Sequence, residues 1–98
     1  GEEVALVGGG NSAGQAVVYL APKVKRLHLV IRRRDLEATM SRYLIDRIAA
    51  LPNVEIHPET EVLSLEGSKQ LGLTGATFGN RTTRATHHRT LRHLFLFI

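Results

Sequence analysis

The segment Val4-Ala-Leu-Val-Gly-Gly-Gly-Asn-Ser-Ala constrains this chain more than any other part of it. Val4 to Val7 is an apolar run that stops at glycines, the pattern of a strand buried on both faces. Asn11 or Ser12 can open a helix after it. Ala13, Ala16, Val17 and Leu20 then fall on one side of that helix, and Pro22 closes it. Between strand and helix, Gly8-x-Gly10-x-x-Ala13 has the spacing of a phosphate-binding turn. The first glycine permits the tight exit from the strand, and the second leaves room for a pyrophosphate near the backbone. The small residue at 13 lets helix and strand pack closely. Free N–H groups at the helix start favour an anion, and the side chains of Asn11 and Ser12 can add hydrogen bonds. The expected dinucleotide contacts are therefore Gly8, Gly9, Gly10, Asn11, Ser12 and Ala13.

The rest of the chain continues the alternation. Leu27 to Ile31 reads as a second buried strand. A second helix is expected from about Asp35 to Leu51, because Leu36, Met40, Leu44, Ile48 and Leu51 recur at helical spacing. Asp35 or Ser41 can cap it and Pro52 ends it. Val54 to His57 reads as a third strand. Strand, helix, strand, helix, strand implies a parallel sheet with helical crossovers. After Pro58 the pattern changes. Thr60–Glu66, Leu71–Phe78 and roughly Thr82–Thr90 are strand-like, separated by Gly67-Ser68 and Gly79-Asn80, and read as an antiparallel meander. Leu94 to Ile98 is fully apolar again and is expected to return to the parallel sheet. The fold class is thus α/β: a Rossmann-like sheet with helical crossovers plus a three-stranded antiparallel meander, in three ββα layers.

Ninety-eight residues make one domain, residues 1–98. The abrupt stop after an apolar strand leads us to expect a piece of a longer protein, with sequence missing on both sides. The apolar block at the end is five residues, against the roughly 20 a membrane span needs, so no membrane partner is expected. With no cysteine, thiol catalysis and Cys-based zinc sites within these residues are excluded. The net charge of +4 is unevenly distributed: residues 23–47 carry eight Lys/Arg and three acids, and residues 67–98 carry five Lys/Arg and no acid. A basic band of this kind suits nucleic acid, a phosphorylated ligand or an acidic partner. The aromatic interleaving of a single-strand binder is missing around the arginines apart from Tyr43, and nucleic acid is not expected.

Position narrows the choice further. In a dinucleotide fold, the end of the second strand reads the adenosine ribose; an acid there selects NAD or FAD, and an Arg nearby accommodates the 2′-phosphate of NADP. This chain has Ile31-Arg32-Arg33-Arg34 there, with no acid before Asp35. Arg32, Arg33 and Arg34 are the expected 2′-phosphate contacts, and NADPH the expected cofactor.

The turn and the arginines together resemble the NADPH-binding domain of the thioredoxin reductase-like family of pyridine nucleotide–disulfide oxidoreductase flavoproteins. Gly8 to Ala13 matches that family's G-G-G-N-[ST]-A at every position. Arg32 and Arg33 match the paired arginines of its H-R-R-x-x-x-R. Ile31 stands at the His position and Glu37 at the last Arg position, leaving Arg34 or Arg42 to supply the remaining contact. The resemblance implies a domain that presents NADPH for hydride transfer to FAD held by a separate domain of the parent chain. It also implies a cytoplasmic enzyme, in reach of thioredoxin or another redox protein and compatible with a homodimer. The isolated domain, lacking the flavin, would be inactive. The family's disulfide reductases carry a Cys-x-x-C pair just before the glycine-turn strand. Here that pair is either upstream or absent, as in flavin-linked ferredoxin–NADP reductases of similar fold. A non-catalytic dinucleotide-sensing module is the alternative from another class.

Other groups carry weaker signals. His87, His88 and His93 have no Cys or carboxylate within residues 67–98, and adjacent histidines on a strand face opposite ways, so no metal is expected there. His28, inside an apolar strand, reads as a core or interface histidine. Ser12 lacks an Asp–His pair and is not a nucleophile. Glu59 and Glu61 read as solvated.

Overall fold

A computed structural model of the chain describes residues 2–97. Four strands form a parallel sheet: β1 (Glu3–Val7), β2 (Arg26–Val30), β3 (Val54–His57) and β7 (His93–Leu96), in the order β3-β2-β1-β7. Helices α1 (Asn11–Leu20) and α2 (Arg42–Ala49) supply the crossovers. Strands β4 (Thr60–Ser68), β5 (Gly72–Asn80) and β6 (Thr86–Thr90) form a separate antiparallel sheet, inserted between β3 and β7. The expected α/β class and three ββα layers are both present. The last strand returns to the parallel sheet beside β1, with Val4 opposite His93 and Val7 opposite Leu96. Ile98, expected to end that strand, lies outside the described residues.

The parallel strands are apolar on both faces because each face is covered. Val4, Leu6, Leu27 and Leu29 point to the helices and pack with Ala13, Val17, Leu44 and Ile48. Ala5 and Val30 point the other way and pack with Ala76, Phe78 and Leu91. Side chains alternate across a strand, so one apolar run serves two cores.

The second helix departs from expectation. It begins at Arg42, with Ser41 as its N-cap accepting from Leu44 N–H at 3.3 Å, and not at Asp35. Residues 35–40 form a turn. The Asp35 carboxylate accepts from Glu37 N–H at 3.1 Å, and Met40 N–H closes a single loop on Leu36 C=O at 2.9 Å. Leu36 and Met40 are nevertheless buried beside Leu44 and Ile48. One turn followed by a helix satisfies the same four-residue spacing as a continuous helix, so periodicity alone could not separate them. The first helix starts where expected and ends in a short 3₁₀ turn, Ala21–Lys23, containing Pro22.

Candidate functional site: a cleft at the strand ends

The sheet order reverses direction between β1 and β7, and a cleft opens there at the carboxyl ends of the strands. In an open parallel sheet this is where ligands bind. The cleft measures about 490 Å³. Val7 and the three glycines form one side, Val30, Ile31, Arg32 and Arg33 another, and Phe97 the far edge.

The glycines differ in what they do. Gly8 has φ +152°, and a Cβ there would stand 2.4 Å from the Phe97 carbonyl oxygen. It can only be glycine, because the strand ends pass this closely. A Cβ on Gly10 would meet nothing within 4 Å. The space beside Gly10 is open, and a larger side chain would project into it without disturbing the core. The next residues begin α1, whose first intrahelical bond runs from Gly14 N–H to Gly10 C=O at 3.0 Å. No side chain caps this end. The N–H groups of Asn11, Ser12 and Ala13 therefore lack intrahelical acceptors, and with the helix dipole they favour an anion. Ala13 is fully buried, as close packing requires.

The turn is held from outside by the segment expected to be helical. Thr39 Oγ1 donates to Gly9 C=O at 2.6 Å, and Ser41 N–H donates to Asn11 Oδ1 at 2.8 Å. Asn11 thus uses its carbonyl oxygen to latch the turn onto the start of α2. Gly14 completes the attachment, since a Cβ there would stand 2.9 Å from Met40 Sδ and 3.1 Å from Leu44 Cδ1. The role of Gly14 escaped the sequence reading; its only sign was a glycine inside a helical pattern, which marks close approach of a neighbour.

Arg32 and Arg33 are exposed, line the cleft, and also line an adjoining opening with Arg81. Arg34 lines neither of the two. Arg81 comes from the end of β5 and is brought in by a tight turn. Glu59, at φ +50°, donates its N–H to Arg33 C=O at 2.9 Å and accepts at its own C=O from Arg81 N–H at 2.6 Å. Glu59 and Glu61 are half-buried, not freely solvated as expected, because the antiparallel sheet folds back over this end. Arg42 is engaged elsewhere, 3.4 Å from Glu37 and 3.7 Å from Asp46. Among the described lining residues the one carboxylate is Asp35. Three guanidinium groups converge from two sheets, and their positive field adds to that of the helix N-terminus.

The basic C-terminal segment is partly neutralised by acids from earlier in the chain. Arg89 lies 3.3 Å from Glu55, Arg92 and His93 lie 3.8 and 3.3 Å from Glu2, and His88 lies 2.6 Å from Glu66. No helix of the described residues is long and apolar enough to cross a membrane.

The model of the pyridine nucleotide-disulphide oxidoreductase family matches residues 3–81. A thioredoxin reductase of Borreliella burgdorferi is 35% identical over 71 residues, which is 72% of this chain and 21% of that protein. An NADH dehydrogenase of Ferdinandcohnia aciditolerans is 30% identical over 98 residues, 100% of this chain and 18% of that protein. Among solved structures, thioredoxin reductase from Streptococcus pyogenes superposes with a TM-score of 0.89 at 24% identity, over 99% of this chain and 31% of that one. That likeness concerns the fold. The chain spans less than a third of the length of each of these proteins.

Proposed function

Because the chain belongs to the pyridine nucleotide-disulphide oxidoreductase family, in its thioredoxin reductase-like branch, we propose that it is the NADPH-binding domain of a larger flavoprotein. The observation that carries this reading is the cleft itself: open backbone at Gly10 and a free helix start on one side, Arg32 and Arg33 on the other. The N–H groups from Asn11 to Ala13 hold the pyrophosphate, with Gly8 and Gly9 shaping the turn and Ser12 free to donate its hydroxyl. Arg32 and Arg33 take the 2′-phosphate. Arg81 is better placed than Arg34 to join them. The coenzyme supplies hydride for FAD on a separate domain of the parent chain. This domain orients it and excludes water, and does not turn over alone. The small share of each relative that the chain spans supports a multidomain parent. A cytoplasmic, homodimeric parent acting on thioredoxin or another redox protein belongs to the same reading.

Asp35 in the cleft favours a second reading, in which NADH is the coenzyme and the carboxylate accepts from the ribose hydroxyls. Fluorescence titration of the purified chain with NADPH and NADH separates the two. A charge-assisted hydrogen bond contributes about 1.5–3 kcal/mol, reduced here by solvent screening of exposed groups. We therefore expect NADPH to bind about tenfold tighter or more. Arg33→Glu narrows or reverses the ratio, and Gly10→Val removes binding of both coenzymes while the fold survives. Equal affinities, unchanged by Arg33→Glu, overturn the NADPH reading. Normal binding by Gly10→Val overturns the site.

A further inference from the structure

We propose that His28, Glu55 and His57 form a binding site for one divalent first-row cation of the zinc type, distinct from the glycine cleft. The three residues come from β2 and β3, on the face of the parallel sheet that meets the antiparallel sheet. None of them lines the cleft. Three ligand atoms converge: His28 Nδ1, His57 Nε2 and Glu55 Oε2. Two sides of their triangle are 3.0 Å and the third is 3.9 Å. A tetrahedral zinc with bonds of 2.0–2.1 Å needs ligand atoms about 3.3 Å apart, so the triangle closes on such an ion with shifts of a few tenths of an ångström. Two imidazoles and a carboxylate form a donor set suited to zinc and neighbouring first-row metals.

The hydrogen bonding around the triangle points to a cation. His28 Nε2 lies 2.9 Å from Glu3 Oε1, and the tautomer assigned from that contact has Nε2–H donating to the carboxylate. His28 Nδ1 is then a lone pair aimed into the triangle. Glu55 Oε2 is a second acceptor, and His57 Nε2 sits 3.0 Å from both. Without an ion, the proton on His57 Nε2 is shared between His28 Nδ1 and Glu55 Oε2, and only the carboxylate oxygen has a further donor, Arg89 Nη2 at 3.3 Å. A cation in the centre engages all three once that proton moves to Nδ1 of the same ring. Glu3 becomes the outer carboxylate that fixes the His28 ring, the arrangement metal-bound histidines commonly show. His28 is 1% exposed, so its ring is already locked. Phe78 packs edge-on against both imidazoles, at 5.3 and 6.1 Å between centroids, and holds the site at the seam of the two sheets.

Arg89 opposes the ion. Its Nη2 lies 3.3 Å from Glu55 Oε2, and its Nε is buried without a hydrogen-bond partner among the described residues. Arg89 therefore competes for the same oxygen, whereas Arg26, 3.5 Å from Oε1, does not. The other histidine–carboxylate pairs, His88 with Glu66 and His93 with Glu2, are exposed surface pairs.

The test is calorimetric titration of the chelator-treated full chain with zinc chloride, and with cobalt(II) chloride read by its visible absorption. The expected result is saturable one-to-one uptake, a tetrahedral cobalt spectrum, and a higher melting temperature with zinc. Glu3→Gln, which leaves the ligands in place, weakens zinc about 10- to 100-fold, and His57→Gln weakens it by more than that. Arg89→Gln tightens it, and His88→Gln leaves it unchanged. If His57→Gln does not fold, Glu55→Gln takes its place, because that side chain is one-third exposed. Absence of one-to-one uptake overturns the site. So does uptake that survives loss of His57 or Glu55, or a spectrum that is not tetrahedral.

Discussion

The two faces of the parallel sheet are closed by different chemistry. Toward the helices, Val4, Leu6, Leu27, Leu29, Leu44 and Ile48 make an unbroken apolar layer. Toward the antiparallel sheet, the apolar patch around Phe78 is smaller, and a chain of Glu3, His28, His57, Glu55 and Arg89 runs beside it. A helix lays a stripe of branched side chains into the sheet and seals it. A second sheet meets β2 and β3 with fewer large side chains, several positions of β5 being glycine, and polar groups complete the contact. Apolar burial has no preferred direction and little dependence on pH. A hydrogen-bonded network is specific in geometry, and removing one partner strands the others. The helix-side face should therefore respond to volume, and the sheet-side face to charge.

The largest effect tests the shared part of this contrast. Phe78→Ala should cost about 3–5 kcal/mol and Leu29→Ala about 2–5 kcal/mol, both read from urea unfolding midpoints. The contrast appears in the pH dependence of the losses. The loss for Leu29→Ala should stay constant with pH, while that for Phe78→Ala should change, because opening that pocket wets both imidazoles. Identical pH profiles would erase the distinction.

The next effect isolates the network. Burial pushes the His57 imidazole down to about 4, against the favourable pull of Glu55 and with added opposition from His28, Arg89 and His87. In the unfolded chain the same group titrates near 6.5. Between those values the unfolded state holds the extra proton, so stability is complete above about pH 6.5 and is lost as pH falls toward 4. The shift corresponds to roughly 3 kcal/mol. The carboxyl of Glu3, held below its usual range by the hydrogen bond from His28, has the same sign at lower pH. With a chelator present, unfolding midpoints should fall across this window in the parent chain and fall less in His57→Gln. Equal slopes would remove His57 from the account.

The smallest effect concerns the cleft. Asn11→Ala deletes the acceptor for Ser41 N–H and should cost about 1 kcal/mol, with weaker coenzyme binding as the turn loosens. An unchanged midpoint would mean that water replaces the latch.

Much of this was readable from residues 4–34. An apolar run ending at glycines located β1, one ending at three arginines located β2, and the G-x-G-x-x-A spacing located the turn, because tight backbone geometry restricts which residues can stand there. Gly8 bears this out: its neighbour in space, Phe97, leaves no room for a Cβ. The start of α2 stays open between Asp35 and Ser41 in the sequence, because Leu36 and Met40 keep the helical spacing while forming a turn; the structure selects Ser41. Arg81 was not legible, since it reaches Arg32 and Arg33 only through the Glu59 turn between them. The histidine cluster was not legible either. His28 and His57 are 29 residues apart, whereas the pair conspicuous in the sequence is His87 and His88, whose neighbours in sequence are not their neighbours in space.

Local sequence by itself determined the elements that local rules govern: strands from apolar runs, the phosphate-type turn from glycine spacing, helix ends from Ser41, Pro22 and Pro52. Tertiary structure alone decided which side chains meet across the sheet. Parallel registry sets His28 opposite Glu55 and Val30 opposite His57, and the folded-back antiparallel sheet brings Arg89 and Arg81 to sites more than 30 residues away. The physical reason is that backbone conformation depends on a few neighbouring residues, whereas the charge and shape of a site depend on every element that packs around it.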